Sequence, residues 1–101
     1  MPTEHNERQY RKMLEVLQRY EAGEGGLHRT IADLEALLLS LETPEETWKK
    51  SFYREWAVLE DLHASLLDEG LEKLPPDLNA TVEQAVVAMR GLIARVYEES
   101  H

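Results

Sequence analysis

Thr43 to Gly70 carries both end signals of one long helix. Thr43-Pro44-Glu45-Glu46 reads as an N-cap, a proline at the first helical position and a glutamate at the third, the pattern of a capping box. Gly70 stands where a left-handed C-terminal cap is required, and Leu71 behind it can fold back on Leu66 or Leu67. Between these ends Trp48, Phe52 and Trp56 recur every fourth residue, and Leu59, Leu62 and Leu66 continue the stripe. Large rings repeated on one helical face must be buried against neighbouring elements. The spacing predicts a helix over 44–69, on the order of 39 Å long. It anchors a core and carries no reaction chemistry of its own.

Three further segments show helical period, and none shows sustained strand alternation. The first covers 6–22, with Tyr10, Met13, Leu14, Leu17 and Tyr20 along one stripe, and Gly23-Glu24-Gly25-Gly26 breaks it. The second covers 27–41. Leu27, Ile31, Leu34, Leu38 and Leu41 make its stripe, and Leu37 and Leu39 widen it toward a second neighbour. The tight joint Glu42-Thr43-Pro44 makes the second and third helices antiparallel neighbours. Pro75 and Pro76 forbid helix and stiffen the next crossing. The fourth helix covers 78–98, with Leu78, Val82, Ala85, Val86, Met89, Ile93, Val96 and Tyr97 on one face. Gly91 within it costs roughly 1 kcal/mol against alanine and suggests a close approach to a neighbouring backbone. The expected fold is all-α: a single domain over 1–101, an up-and-down four-helix bundle with the long third helix at its centre. A three-helix core with the first helix docked loosely or swapped is the alternative.

The 101 residues suffice for one modest core, and 43% hydrophobic content favours folding over disorder. There are no cysteines, so disulfides, thiolate nucleophiles and zinc–thiolate sites are excluded. No N-terminal run resembles a signal peptide, and no stretch approaches the roughly 20 apolar residues of a membrane span. A cytoplasmic location without membrane association is the expectation. Net charge is −9, and it is uneven: residues 23–71 hold eleven acids against four bases. Such a surface repels phosphate backbones, which argues against nucleic-acid binding, and attracts a basic protein. Solubility alone is the plainer account of the same charge.

Projected at about 100° per residue, the apolar face of the third helix also takes in Glu55 and His63. A carboxylate among indoles must find a partner or raise its pKa. Glu55 is expected to reach an arginine at the helix edge (Arg11, Arg19, Arg90 or Arg95), and His63 to be hydrogen-bonded in the core or at its margin. Glu60-Asp61-Leu62-His63 gives one Glu-x-x-His spacing, where carboxylate-bridged di-iron bundles need two plus further glutamates. No metal or cofactor is expected. No nucleophile elbow, phosphate cradle or dinucleotide fingerprint appears, and none of the four serines has a placed His and acid. The chain does not read as an enzyme.

Opposite the aromatic stripe lie Glu46, Lys50, Tyr53, Ala57, Glu60, Asp61, Ala64 and Asp68. Tyr53 among acids has the composition of a docking anchor. Ala57 and Ala64 would let another helix approach closely, as in a homodimer. The bland reading of this face is an ordinary solvated surface.

Asp33-Leu34-Glu35-Ala36-Leu37-Leu38, then Trp48, Phe52, Glu55-Trp56, Leu59-Glu60, Ala64 and Leu67-Asp68-Glu69-Gly70, resembles a group of small all-helical bacterial proteins. Some of these look like immunity proteins encoded beside polymorphic or contact-dependent toxins. The resemblance spans roughly 27–71 and rests on core-packing residues. It implies an acidic, single-domain inhibitor that occludes a basic toxin active site, often a nuclease. The combined expectation is a non-enzymatic protein-binding module. Glu42, Glu45, Glu46, Tyr53, Glu60, Asp61 and Asp68 would meet a basic partner. A structural or regulatory homodimer is the alternative, so the chain is a monomer or a homodimer.

Overall fold

The computed structural model describes residues 4–70 and 74–99. Four helices follow one another: α1 (Glu4–Glu21), α2 (Leu27–Leu39), α3 (Glu46–Glu69) and α4 (Pro76–Glu99). No strand occurs among the described residues. Backbone neighbours are α1 with α2, α2 with α3, α3 with α4, and α4 with α1. The helices therefore stand at the corners of a square, each beside its sequence neighbours, and the body measures 44 × 25 × 19 Å. This is the all-α four-helix bundle that the four apolar stripes require. α3 and α4 share the greatest length, 24 residues each.

The core is one cluster to which all four helices contribute. Tyr10, Met13 and Leu17 enter from α1, Ile31, Leu34 and Leu38 from α2, Trp48, Phe52, Trp56 and Leu59 from α3. Val82, Ala85, Val86, Met89 and Ile93 complete it from α4. Burial raises the Tyr10 phenol above its ordinary value of 10.0, because the ionised form would lose its water. The rings link diagonal corners: Tyr10 meets Trp48 edge-on at 5.5 Å, and Trp48 stacks on Phe52 at 5.3 Å.

Each tryptophan also spends its polar handle on a different neighbour. Trp56 Nε1 donates to the Ile31 carbonyl of α2, and Trp48 Nε1 donates to the Leu92 carbonyl of α4, both at 2.9 Å. Hydrophobic contact is non-directional and tolerates sliding, whereas these two bonds tie α3 to each flanking helix at one axial position.

Several sequence expectations are corrected at the joints. The capping box at Thr43 is not formed. Thr43 adopts φ 41, in the left-handed region, and α3 begins only at Glu46, capped by Glu45 with no side-chain bond. The cause lies in α1. Asn6, 3% exposed, donates from Nδ2 to the Glu42 carbonyl and accepts the Glu42 N–H on Oδ1, both at 2.8 Å. Beside it His5 Nε2 donates to the Ser40 carbonyl at 2.7 Å, and Ser40 Oγ donates to Gln9 Oε1 at 3.2 Å. Held there, the chain needs a sharp reversal before α3, and Thr43 makes it at positive φ. A β-branched residue at positive φ costs on the order of 1–3 kcal/mol.

Pro76, expected to forbid helix, is instead the first residue of α4, where its missing N–H is no loss. α2 stops at Leu39 and α1 at Glu21, short of the expected 41 and 22. Gly70 takes φ 68 and caps α3, its N–H reaching Leu66 and Leu67, as read from sequence. The return of Leu71 lies outside the described residues. Gly91 faces open space, and an added Cβ there would meet nothing within 4 Å, so it marks no close helix approach.

Candidate functional site

Seven side chains were expected to form the docking surface, and all seven are exposed: Glu42, Glu45, Glu46, Tyr53, Glu60, Asp61 and Asp68. They do not form one patch. Glu42 and Glu45 sit in the α2–α3 joint and Glu46 opens α3, while Glu60, Asp61 and Asp68 lie in its far half. At 1.5 Å per residue Glu46 and Glu60 stand on the order of 20 Å apart along the helix. Between them project Lys49, Lys50 and Arg54. These surround Tyr53 and Glu46 at a shallow depression of about 420 Å³.

The outer face of α3 is thus bipolar. Its N-terminal half carries three cations and the single acid Glu46, and its C-terminal half carries Glu60, Asp61, Asp68 and Glu69. Helix electrostatics favours the reverse, since the N-terminus of a helix is partially positive and its C-terminus partially negative. No basic residue lies in the last turn of α3. Glu46 in the first turn is favourably placed, whereas Asp68 and Glu69 in the last turn each cost about 0.3–1 kcal/mol. None of Lys49, Lys50, Arg54, Glu60, Asp61 and Asp68 enters an ion pair among the described residues. The pairs among the described residues are Arg29–Asp33, Arg90–Glu21 and Arg95–Glu99.

Tyr53 is half exposed, and its ring lies 5.1 Å from that of Trp56, tilted by 34°. An aromatic side chain held against the core yet open to solvent is already ordered before contact, which lowers the entropy lost on docking. Ala57 is partly buried beside it, Ala64 is exposed about two turns farther on, and Leu67 is 68% exposed.

Glu55 and His63 do not build an internal site. Both are only partly buried, and no ion pair among the described residues joins Glu55 to any arginine. His63 stacks on His28 of α2, ring centres 5.1 Å apart at 30°. Among the described residues no group of three or more His, Cys, Asp or Glu is placed to hold a metal ion, so the Glu60–His63 spacing gains no third ligand. No buried side-chain polar atom among the described residues lacks a partner. No described helix is long and apolar enough to cross a membrane.

The basic half of the face escaped a reading based on the net charge of residues 23–71, because summing over a long window cancels local sign. Counting charge per half-helix on the exposed face recovers Lys49, Lys50 and Arg54 from the same residues. The polar latch of His5, Asn6, Gln9 and Ser40 had no signal in periodicity, since those positions are ordinary in a helix end and a loop.

Comparison with known proteins finds no matching family model, no significantly similar curated protein and no significantly similar solved structure.

Proposed function

We propose that this chain is a non-enzymatic protein-binding module whose docking surface is the outer face of α3. The observation that carries this reading is the bipolar charge of that face, in no ion pair among the described residues, around the half-exposed Tyr53. Two blocks of opposite charge on one exposed face, with no ion-pair partner among the described residues, suit a partner outside the chain. The acidic half, Glu60, Asp61 and Asp68, seats a basic surface, and Tyr53 supplies the anchor. An immunity-type inhibitor lying over a basic toxin would use the same half.

The test is capture with tagged protein from a lysate of the source organism, read by mass spectrometry, beside the double reversal Glu60→Lys and Asp61→Lys. A basic-surfaced partner held by wild type and weakened by more than about tenfold in the reversal supports the assignment. Identical recovery by both proteins, with unchanged affinity in titration calorimetry, removes the site from α3.

A further inference from the structure

We infer that the face of α3 is self-complementary, and that its partner is the α3 of a second copy lying antiparallel across it. This rests on the docking role of α3 proposed above and names the occupant.

In an antiparallel pair related by a twofold axis, residues equidistant from the crossing point face one another, and each side of the seam meets the same side of the other helix. Place the axis beside Ala57, the small residue nearest the middle of the outer face. Arg54 then lies opposite Asp61 of the second copy. Lys50 falls between Asp61 and Asp68 of that copy, and Tyr53 lies near Glu60. Symmetry repeats each contact. The aliphatic stem of Lys50 passes over Ala64, and the two Ala57 residues allow close approach. All of these outer-face residues except the partly buried Ala57 are exposed, and none of the charged ones is committed to an internal ion pair.

The parallel alternative is opposed by the same charges. A parallel pair would set Lys50 on Lys50 and Asp61 on Asp61. The only sizeable positive region on the described part of α3 is its N-terminal half, and it is matched in length by the acidic half. One helix pair covers less than the roughly 1,200–2,000 Å² of a standard interface, which places the association in the weak, concentration-dependent class.

Sedimentation equilibrium at physiological ionic strength tests this with two variants. Lys50→Glu with Arg54→Glu makes the whole face acidic, and Asp61→Lys with Asp68→Lys makes it basic. All four positions are exposed and Glu and Lys are good helix formers, so helicity by circular dichroism should be retained. Wild type should pass from monomer toward dimer up to high micromolar concentration, and each variant alone should associate more than about tenfold more weakly. An equimolar mixture of the two variants should form a one-to-one heterodimer, because positions 54 and 61, 50 and 61, and 50 and 68 again face one another with opposite sign. A wild type that stays monomeric overturns the inference, as does dimerisation of both variants alone, or a mixture that stays monomeric. If wild type is monomeric while a foreign partner is still lost on Glu60→Lys with Asp61→Lys, only self-pairing fails. If that partner is absent as well, the docking role of α3 fails with it.

Discussion

Asn6 offers the sharpest test of how the bundle holds its α2–α3 joint. Its amide is buried and makes two 2.8 Å hydrogen bonds to the backbone of one residue, Glu42, as donor and as acceptor. A net intramolecular hydrogen bond is worth about 0.5–1.5 kcal/mol, so Asn6→Ala should cost on the order of 2 kcal/mol. Glu42 is exposed, and water can reach its freed N–H and C=O, which keeps the loss near that middle value. For a domain of this size the loss lowers Tm by roughly 8–16 °C.

Asn6→Asp separates the hydrogen-bond account from simple loss of packing. The ionised carboxylate still accepts the Glu42 N–H but faces the Glu42 carbonyl with no proton to donate. The protonated acid restores the donor–acceptor pair of the amide. Its folded-state pKa must therefore lie above the unfolded value of about 3.9. The native state binds the extra proton, so this variant's stability is fully present below that value and is lost as pH rises through the folded pKa. Thermal melts followed by circular dichroism, each compared with wild type at the same pH, should show a large deficit at neutral pH that shrinks toward pH 4. A deficit independent of pH, or an Asn6→Ala melt within a degree or two of wild type, would refute the two-bond clamp.

Two glycines should respond in opposite directions. Gly91→Ala, in an exposed helix interior where the new Cβ meets nothing, should stabilise by about 1 kcal/mol. Gly70→Ala, at φ 68 in equally open space, should destabilise by about 1–2 kcal/mol from backbone strain alone. Denaturant midpoints moving the same way for both would contradict that assignment. Trp56→Ala should cost roughly 3–5 kcal/mol, a large share of the ~5–15 kcal/mol typical of such a domain. An unchanged urea midpoint would place the indole outside the core.

The apolar stripes made the bundle legible because each is a long periodic signal with many residues in agreement. Trp48, Phe52, Trp56 and Leu59 stated the buried face of α3 before any contact was known, and Gly70 stated its end. The start of α3 was misread because Thr43-Pro44-Glu45-Glu46 satisfies a local rule that a distant residue overrides. Asn6, 36 positions from Glu42 in sequence, fixes that joint, and no window short enough to show a capping box contains both. The indole bonds to Ile31 and Leu92 were equally hidden, since periodicity gives the face of a residue but not the height at which two helices meet. On the outer face of α3 and in its joint the seven candidate residues are exposed, and the error was one of sign averaging. Lys49, Lys50 and Arg54 split what had been read as a continuous acidic field.

The two indoles have a further consequence. Trp48 and Trp56 are the chain's only tryptophans, and each is bonded across a different helix boundary, α3–α4 for Trp48 and α2–α3 for Trp56. The protein thus carries two built-in fluorophores. With either one replaced by phenylalanine, the emission of the other reports the wetting of a single seam, so ordinary stopped-flow fluorescence can time the opening of the two sides of α3 separately.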